Sequence, residues 1–574
     1  MVERTKQWIT GACDETHAPV LSSATGLPLS LCRLLLARGY DSPEAVDAFL
    51  NPRLSALSDP YDLPGMGPAV ERLARALASG RPIVVFGDYD VDGITSTALM
   101  VRVLSALGGK PVPFLPHRVD DGYGLGIEPL MRCLDEHQPD CVITVDCGTS
   151  SVEAVEAAQA RGVDVIVTDH HEPGSSLAPA YAVVNPKLNA ANETHHTLAG
   201  VGVAFKVCHA LLKYLREQGA DPGKQPDLRA FMELVAIGTV ADMVPLTGEN
   251  RALVRHGLNE LNRTTTPGLK ALMDVAGIKG PVDTYHIGFL LGPRLNAAGR
   301  LGTALASLEL LLNPDEPRVR VLAEELDTAN RERQTLEAEM VEQAFAQIDA
   351  WYKPSDHFGL VASSKGWHPG VIGIVASRLC ARYRRPVAVI AVDEEGIGKG
   401  SCRSIPAFHM VEGLTEAATH LRRFGGHPMA AGLEIHEKHI ASFCEAFNEA
   451  ARNRLLPEDF VPTQQVDAWL SLGDVDDAFM AALDRLGPFG LGNTKPVWAA
   501  RNVRLLGSPK VVGEKHLKMT FLDGNARLDA IAFGMADREI PAGTMDVAFY
   551  LNRNEFRGRV TNQMVVQDIR PPTM

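Results

Sequence analysis

The 574-residue sequence has few cysteines and no stretch of the kind that crosses a membrane. Its nine cysteines include no Cys-x-x-Cys pair, which argues against both a zinc ribbon and a disulfide framework. No uninterrupted apolar run reaches transmembrane length, and residues 1–14 have mixed charge without the apolar core of a signal peptide. We therefore expect a cytoplasmic chain with reduced thiols and no membrane partner.

A net positive charge, the usual property of a protein that binds a polyanion, is also missing. The sequence has 56 Lys and Arg against 70 Asp and Glu, a formal net charge of −14. The net negative charge is unevenly distributed along the chain, because residues 497–574 carry 11 basic against 8 acidic side chains. Part of the remaining negative charge belongs to a cluster of aspartates described below, which bound cations would partly neutralise.

The sequence does have ordinary globular composition and a regular alternation of strands and helices. With 45% hydrophobic and 22% charged residues, a chain of this length should form three or four domains. Apolar runs such as 83–86, 112–115 and 141–145 alternate with helical patterns such as 97–107 and 128–137. This spacing predicts βαβ units and a parallel sheet, so the predicted fold class is α/β.

Changes of pattern along the chain divide it into five regions. Residues 1–80 predict short amphipathic helices, a helical lead-in without evident chemistry, and residues 81–315 contain the predicted parallel sheet. Residues 316–352 predict one long helix, about 50 Å at 1.5 Å per residue, as either a spacer or a bundle element. Residues 353–455 return to a smaller α/β pattern, and residues 457–574 show the evenly spaced strands of a small β-barrel.

Three aspartates lie together in the turn after the first predicted strand of the sheet. They are Asp88, Asp90 and Asp92, at alternate positions between the strand and the next helix. Three carboxylates so close would repel each other strongly, a cost that cations between them would relieve. In isolation such a turn is more often explained by turn residues and helix caps.

Further acids and two histidines make a metal site the better interpretation. Asp146 and Asp169-His170-His171 each follow a predicted strand, and Asp242 ends an apolar run. The carboxyl ends of neighbouring parallel strands face one crevice, so these side chains should converge. Carboxylates with one or two neutral imidazoles suit Mn²⁺ or Mg²⁺, and the imidazole shifts the preference toward the transition metal.

These stretches, in this order and spacing, resemble the motifs of the DHH phosphoesterase superfamily, which is named for its Asp-His-His. Residues 87–93, 198–205 and 292–301 resemble one branch of it, the single-strand-specific exonucleases. The likeness extends over nearly the whole chain. It implies a parallel-sheet DHH domain at 81–315, a DHH-associated domain at 353–455 and an OB-fold at 457–574.

The resemblance implies two-metal phosphodiester hydrolysis. Two divalent cations, Mn²⁺ or Mg²⁺, would lie about 3.5–4 Å apart, with Asp146 as the bridging ligand. Asp90 would hold one cation, and Asp92, His170 and Asp242 would hold the other. Asp88 would join the site either directly or through water. The expected metal ligands are Asp88, Asp90, Asp92, Asp146, His170 and Asp242.

The same family pattern gives the remaining catalytic roles. His171 would contact the scissile phosphate, and Asp169 would orient the histidine pair from behind. No nucleophilic side chain is needed. The expected catalytic residues are Asp146, Asp169, His170 and His171.

The resemblance also implies residues that hold the nucleic acid. Two glycine-bearing stretches, 398–404 and 424–428, are interpreted as loops whose donors could cap a terminal 5′-phosphate. Arg403 could do so with a bidentate guanidinium, and basic or aromatic barrel residues such as Arg504, Lys518 and Phe521 would suit a single-strand groove. The expected contacts are Arg118, Tyr123, Arg294, Asn296, Arg300, Ser401, Arg403 and His427.

The resemblance therefore implies a single-stranded-DNA-specific 5′→3′ exonuclease that releases 5′-mononucleotides in DNA repair and recombination. It would act as a monomer beside a single-strand-binding protein and a helicase. A small-molecule phosphoesterase of the same superfamily stays open, although the barrel weighs against it. A non-enzymatic scaffold is a third interpretation, against which every expected acid is present. Activity on RNA and the choice between Mn²⁺ and Mg²⁺ stay open.

Overall fold

The computed structural model describes residues 6–11, 16–117, 121, 124–189, 196–301, 304–556 and 558–572. The chain forms two compact units. Unit 1 comprises Met1–Asp59, Met243–His256 and Val461–Met574, and unit 2 comprises Pro60–Asp242 and Gly257–Phe460. The fold is α/β with a parallel sheet, as predicted.

The helices, in chain order, are α1 (Ala18–Thr25), α2 (Leu29–Ala37), α3 (Pro43–Leu50), α4 (Met66–Ser79), α5 (Val91–Ala106), α6 (Ile127–His137), α7 (Val152–Ala160), α8 (Gly200–Glu217), α9 (Met232–Ala241), α10 (Gly248–Leu261), α11 (Pro267–Val275), α12 (Thr284–His286), α13 (Gly292–Leu301), α14 (Leu305–Leu312), α15 (Glu316–Asp349), α16 (Ile372–Tyr383), α17 (Met410–Glu416), α18 (Ile440–Arg452) and α19 (Asp477–Asp484). Among the described residues, no single helix is long and apolar enough to span a membrane, although α1 and α2 meet that test as a pair bent by 116°.

The strands are β1 (Gln7–Thr10), β2 (Pro82–Gly87), β3 (Lys110–Phe114), β4 (Cys141–Val145), β5 (Asp164–Thr168), β6 (Ala182–Val184), β7 (Leu360–Lys365), β8 (Val387–Val392), β9 (Ile397–Arg403), β10 (Arg423–Gly426), β11 (Ala430–His436), β12 (Thr463–Val466), β13 (Ala468–Trp469), β14 (Trp498–Leu505), β15 (Lys510–Val512), β16 (His516–Asp523), β17 (Ala526–Ala532), β18 (Thr544–Phe556) and β19 (Arg559–Arg570).

The first sheet of unit 2 has the order β3-β2-β4-β5-β6, and all its pairs are parallel. Every residue of β4 is buried, which is typical of a strand covered by helices on both faces. The register places Gly87 beside Val145 and Val145 beside Thr168. The carboxyl ends of β2, β4 and β5 are therefore level, and the turns after them meet at one edge.

The long helix predicted at 316–352 is α15, whose 34 residues end at Asp349. It packs against α11, α13 and α14 after the first sheet, and against α16 and β7 in the second. The Arg294–Asp327 ion pair, at 2.9 Å, ties it to α13. The helix is thus both a bundle element and the link between the two sheets of unit 2, so the two interpretations left open are both correct.

The second sheet of unit 2 has the order β10-β11-β9-β8-β7. Here the prediction of two glycine-bearing loops is wrong, because residues 397–403 form strand β9 and residues 423–426 form strand β10. Their glycines fit a sheet because neighbouring side chains fill the space. A Cβ at Gly400, for example, would lie 2.6 Å from a methyl group of Leu433 on β11.

Unit 1 contains the predicted barrel. Strands β14, β18, β19, β17 and β16 pair in that order, and β16 pairs with β14 again, which closes the five-stranded ring of an OB-fold. Phe521 is fully buried in its core, so the suggested stacking role of Phe521 is wrong.

The lead-in predicted at 1–80 is divided rather than continuous. Helices α1–α3 pack on the barrel core, where Leu31 and Phe49 join Trp498 and Phe549, whereas α4 belongs to unit 2. The stretch is also not wholly helical, because β1 pairs in parallel with β12. The sequence pattern of α1–α3 predicted that they are helices. It did not predict that they pack on the barrel, whose strands lie more than 400 residues away in the sequence.

Candidate active site

The turn after β2 carries the first acids. The Oδ1 atom of Asp88 accepts a hydrogen bond from the Tyr89 amide at 2.8 Å. Asp90 is the N-cap of α5, and its Oδ1 accepts from the Gly93 amide at 3.1 Å. The helix cap considered as an alternative is therefore real for Asp90. Gly93 allows the turn to close, because a Cβ there would lie 2.4 Å from the Asp88 carbonyl oxygen.

Asp92 lies in the first turn of α5 and is only 1% exposed. Both of its carboxylate oxygens accept backbone hydrogen bonds from the start of α8, from the Gly200 amide at 2.6 Å and the Val201 amide at 2.9 Å. A helix N-terminus stabilises negative charge, so α8 fixes this carboxylate in place and favours its ionised form.

The turn after β4 places Asp146 in the left-handed backbone region, with φ at +63°. A non-glycine residue there costs on the order of 1–3 kcal/mol and persists only where the surroundings impose it. The Asp146 amide donates to the Thr168 carbonyl at 3.0 Å, which ties this turn to the end of β5. The side chain is 2% exposed.

The turn after β5 builds a hydrogen-bonded carboxylate. Asp169 accepts from the backbone amides of Thr149, His170 and His171 at 2.9, 2.7 and 3.1 Å. The His171 Nδ1 atom lies 2.7 Å from the Asp169 Oδ1 atom. Burial alone would raise the pKa of Asp169, but these bonds, first that of His171, hold it well below its usual range.

One nitrogen of the His170 ring lies close to three carboxylates, each from a different part of the fold. The Nε2 atom of His170 lies 3.1 Å from Asp146 Oδ1, 3.6 Å from Asp242 Oδ2 and 3.9 Å from Asp92 Oδ2. Asp242 comes from the C-cap of α9. The structure therefore brings the residue at the end of α9 to the same edge as the strand turns.

The predicted metal ligands fall into overlapping groups whose ligand atoms all lie within 4.8 Å of one another. These groups are Asp88, Asp90 and Asp146; Asp92, His170 and Asp242; and Asp146, His170 and His171. Among the described residues, the buried atoms Asp146 Oδ1, His170 Nε2 and Asp242 Oδ2 have no hydrogen-bond partner. Buried polar atoms without partners are costly, and divalent cations would satisfy them.

The electrostatics of the cluster point the same way. Burial, then the neighbouring carboxylates, raises the pKa of Asp92 and of Asp146 well above the usual range. Burial and Asp90 raise the pKa of Asp242 to about 7. Burial and the nearby His171 lower the pKa of His170 to about 3, which leaves a neutral imidazole able to bind a metal. The donor set fits hard or borderline divalent cations.

Asn185 is a site residue that sequence reasoning missed. Its Nδ2 atom donates to the His171 carbonyl and to the Thr149 hydroxyl, both at 2.9 Å, and the side chain is fully buried. It follows β6, the fifth strand of the sheet, so the rule that located the acids applies to it too. The signal was weak because β6 has only three residues.

The predicted nucleic-acid contacts separate into two sets. Ser401 and Arg403 lie on the same face of β9, and the Arg403 Nη1 atom donates to the Ser401 hydroxyl at 3.2 Å. His427 is exposed in the turn between β10 and β11, beside Ser404, whose amide donates to the Met429 carbonyl. Gly373, in the first turn of α16, faces Ser401 and Arg403, since a Cβ there would lie 3.2 and 3.3 Å from them.

The other set is engaged in packing. The Arg294 guanidinium donates to Asp327 at 2.9 Å and to the Leu290 carbonyl at 2.8 Å, so it already has partners within the protein, and its contact with nucleic acid stays a prediction. Arg300 donates to the Gly370 carbonyl at 3.0 Å and so joins the two sheets' domains. Asn296 lies half-buried on the same helix, α13. Arg118 and Tyr123 lie outside the described residues.

Fold and site together define a DHH-type protein. Residues 82–239 match the DHH family, N-terminal domain. Residues 356–453 match the DHHA1 domain, and residues 466–568 match the RecJ OB domain. These matched ranges cover the parallel sheet with its acids, the second sheet of unit 2 and the barrel.

Similar proteins of known name identify the family within the DHH-type proteins. The single-stranded-DNA-specific exonuclease RecJ of Dickeya dadantii (strain 3937) is 38% identical over 562 residues, which cover 95% of this chain and 96% of that protein. RecJ of Escherichia coli (strain K12) is 38% identical over 563 residues, with the same coverage. The crystal structure of RecJ in complex with Mn²⁺ from Thermus thermophilus aligns with a TM-score of 0.86 at 31% identity, covering 100% of this chain and 81% of that one. The chain belongs to the RecJ family.

Proposed function

We propose that this protein is a metal-dependent exonuclease that digests single-stranded DNA from a 5′ end and releases mononucleotides, in DNA repair and recombination. The observation that carries the proposal is the carboxylate and histidine cluster at the edge of the parallel sheet, with its buried ligand atoms that lack protein partners. The names of the relatives and the match to the RecJ OB domain support DNA single strands as the substrate.

The cluster has room for two divalent cations, Mn²⁺ or Mg²⁺. Asp88, Asp90 and Asp146 would hold one, and Asp92, His170 and Asp242 would hold the other, with Asp146 shared between the two sites. When bound, two such cations supply an activated water and stabilise charge on the attacking and leaving oxygens. The Mn²⁺ complex of the aligned Thermus RecJ structure supports this choice of ion.

The protein's own groups orient the substrate. The hydrogen bond between Nδ1 of His171 and Asp169 fixes the orientation of the His171 ring, which would contact a phosphate oxygen of the substrate. Burial would lower the pKa of His171, but Asp169 and the other acids outweigh it and raise that pKa. His171 would lie beside the scissile phosphate, and Asp169 would act through it as a positioning residue.

A second site would recognise the 5′ end. Among the described residues, the Arg403 guanidinium makes no ion pair with a carboxylate, and its protein acceptors are the Ser401 hydroxyl and the Cys402 carbonyl. Burial lowers its pKa, a cost that a bound anion would offset. The surface beside it has space, since an added Cβ at Gly425 would have no heavy atom within 4 Å, and at Gly432 the nearest would be the Gly400 carbonyl oxygen at 3.9 Å.

The barrel offers a further, weaker contact with the strand. Arg504 lies opposite Leu522 and Lys510 lies opposite Lys518, so these three basic side chains share one exposed face of β14, β15 and β16. Exposed basic residues on a β-surface attract a phosphate backbone in a salt-dependent way. They would add their own contacts with the strand and so strengthen the binding of long substrates.

We also propose that the protein acts as a monomer in the cytoplasm, beside a single-strand-binding protein and a helicase. A helicase would supply the unpaired strands that the enzyme needs, and a single-strand-binding protein would occupy the same substrate. Co-purification with each partner and the mass of the protein in solution test these points.

The decisive experiment uses end-labelled DNA and Mn²⁺. We expect release of mononucleotides from single strands, slower on duplex, and blocked by a modified 5′ end but not by a modified 3′ end. Arg403→Ala should weaken use of a 5′-phosphorylated end about tenfold or more, since a charge-assisted bond contributes roughly 1.5–3 kcal/mol. Lys365→Ala, an exposed cation on the far edge of the same sheet, is the matched control and should leave it unchanged.

Two results would contradict the proposal. Digestion that starts at a free 3′ end would reverse the polarity. Equal use of 5′-phosphate and 5′-hydroxyl ends by wild type and Arg403→Ala would remove the end pocket while leaving the metal site untouched.

A further inference from the structure

Two glycines, Gly200 and Gly238, press directly against ligands of the proposed cation cluster. Neither has a left-handed backbone, so conformational freedom does not explain why a side chain is missing there. The side chain is missing for steric reasons, because the backbone at each glycine lies so close to a carboxylate that a Cβ would clash with it.

Gly200 begins α8. A Cβ at this position would lie 2.5 Å from the Oδ1 atom of Asp146 and 2.7 Å from both its Cβ and its Cγ. The Gly200 amide also donates to Asp92 at 2.6 Å. The start of α8 therefore contacts two proposed ligands. The Gly200 backbone packs directly against Asp146, and its amide donates a hydrogen bond to Asp92. A methyl group would have to displace Asp146, which its turn already holds at a costly φ.

Gly238 lies on α9, one turn before Asp242. A Cβ there would lie 2.8 Å from the Oδ1 atom of Asp92 and 2.3 Å from the Thr95 hydroxyl. It would also lie 2.8 Å from a methyl group of Val201, the second residue that donates to Asp92. The absent side chain lets α5, α8 and α9 meet around Asp92.

We propose that Gly200 and Gly238 are positioning residues that set the geometry of the two cations, and this rests on the proposed two-metal function. Gly200 positions Asp146, which both cation sites share, so it governs both. Gly238 positions Asp92, which belongs to one site. A change at Gly238 should therefore weaken metal binding at that site and leave the site of Asp88 and Asp90 unchanged. Gly200→Ala and Gly238→Ala each add one methyl group, and we expect them to differ in how many of the two Mn²⁺ binding events they weaken.

The test is Mn²⁺ titration of the full-length chain by calorimetry, with Mn²⁺ electron paramagnetic resonance as a second readout. Wild type should bind two ions. Gly200→Ala should weaken both binding events at least tenfold, and Gly238→Ala should weaken one and keep the other. Gly202→Ala is the matched control, on the same helix, where the atoms nearest to an added Cβ belong to the Leu198 side chain, the first at 3.2 Å. It should bind both ions as wild type does.

A second variant guards against a simple loss of folding. Combining Gly238→Ala with Thr95→Ala removes the hydroxyl contact at 2.3 Å, the shortest of the three, and keeps the contacts with Asp92 and Val201 at 2.8 Å. Folding should recover while the weakened Mn²⁺ event stays weak. Raising Mn²⁺ should restore part of the nuclease rate of this double variant, because the defect lies in metal occupancy. A defect of packing alone would lower thermal stability without changing either affinity.

Two outcomes overturn the inference. One is a folded Gly200→Ala protein that binds two Mn²⁺ with the affinity of Gly202→Ala. The other is a folded double variant with two unchanged binding events. Failure of the proposed function looks different: wild type would bind two Mn²⁺, with the glycine effects intact, and yet not cleave single strands.

Discussion

The turns after β4 and β5 are neighbours on one sheet edge, and both present a nearly buried aspartate, but the two carboxylates have opposite electrostatics. Asp146 faces other acids, and burial together with those acids raises its pKa well above the usual range. Asp169 receives three backbone amides and the His171 ring, which hold its pKa well below that range. Each is 2% exposed, so burial alone does not decide the difference.

The contrast assigns a role to each turn. A buried carboxylate oxygen without a hydrogen-bond partner is one that a cation can stabilise, which suits Asp146 as a shared metal ligand. A carboxylate already satisfied by amides has no need of a cation and serves to hold a neighbouring ring, which suits Asp169 as the support of His171. We therefore propose different roles for the two aspartates, metal binding for Asp146 and positioning of His171 for Asp169.

Asp146→Asn should have the largest effect. Losing several kcal/mol of transition-state stabilisation corresponds to about a thousandfold in rate on labelled single strands. In chelator the same variant should melt above wild type. The folded pKa of Asp146 is raised, so its ionised form opposes folding increasingly as pH rises above about 4, and the amide removes that cost. A chelated variant that melts below wild type would contradict this.

Asp169→Asn should shift stability in the other direction. The folded pKa of Asp169 is depressed, so its contribution is fully present above about pH 4 and is lost as pH falls through the folded value. At pH 7 the variant should therefore melt below wild type, with or without chelator. The nuclease rate should fall about 10- to 100-fold through misplacement of His171. Melting curves at pH 7 and rates at saturating Mn²⁺ measure both effects.

Asn185→Ala should produce a milder version of the Asp169 defect. It removes the two hydrogen bonds that support the His171 carbonyl and Thr149, and a neutral buried bond contributes roughly 1 kcal/mol. We expect a rate loss of roughly three- to tenfold with no change in Mn²⁺ affinity. A weakened Mn²⁺ affinity would show that the two turns are not independent.

Arg294→Met should have the smallest effect on catalysis. Its guanidinium pairs with Asp327, which keeps a second partner in Arg331 at 2.6 Å. The melting temperature should fall, while the rate and the preference for a 5′-phosphate should stay within about twofold of wild type. If this variant lost end preference as Arg403→Ala does, Arg294 would be a substrate contact after all.

Strand-end acids were predictable because topology places them. Once β2, β4 and β5 are recognised as parallel neighbours, the turns after them must meet, whatever the packing elsewhere. The same rule would have reached Asn185 if β6 were longer than three residues. The barrel strands were also predictable, since strands such as β16 and β17 show alternating apolar residues.

Helical arginines and close-packed glycines were not predictable in this way. A motif such as residues 292–301 looks the same whether its cations face a ligand or, as for Arg294 and Arg300, bind Asp327 and a backbone carbonyl. Gly200 and Gly238 have no side chain to signal a role, and their contact partners lie far away in the sequence. The helices at 18–50 lacked any local sign that they pack on a barrel near the other end of the chain.

The central claim is that Asp146 holds the cations while Asp169 holds a histidine. Titrating wild type, Asp146→Asn and Asp169→Asn with Mn²⁺, and counting bound ions per chain, tests it directly. The account predicts two ions for wild type, two of similar affinity for Asp169→Asn, and loss or strong weakening of both for Asp146→Asn. Two ions bound with unchanged affinity by Asp146→Asn would contradict it.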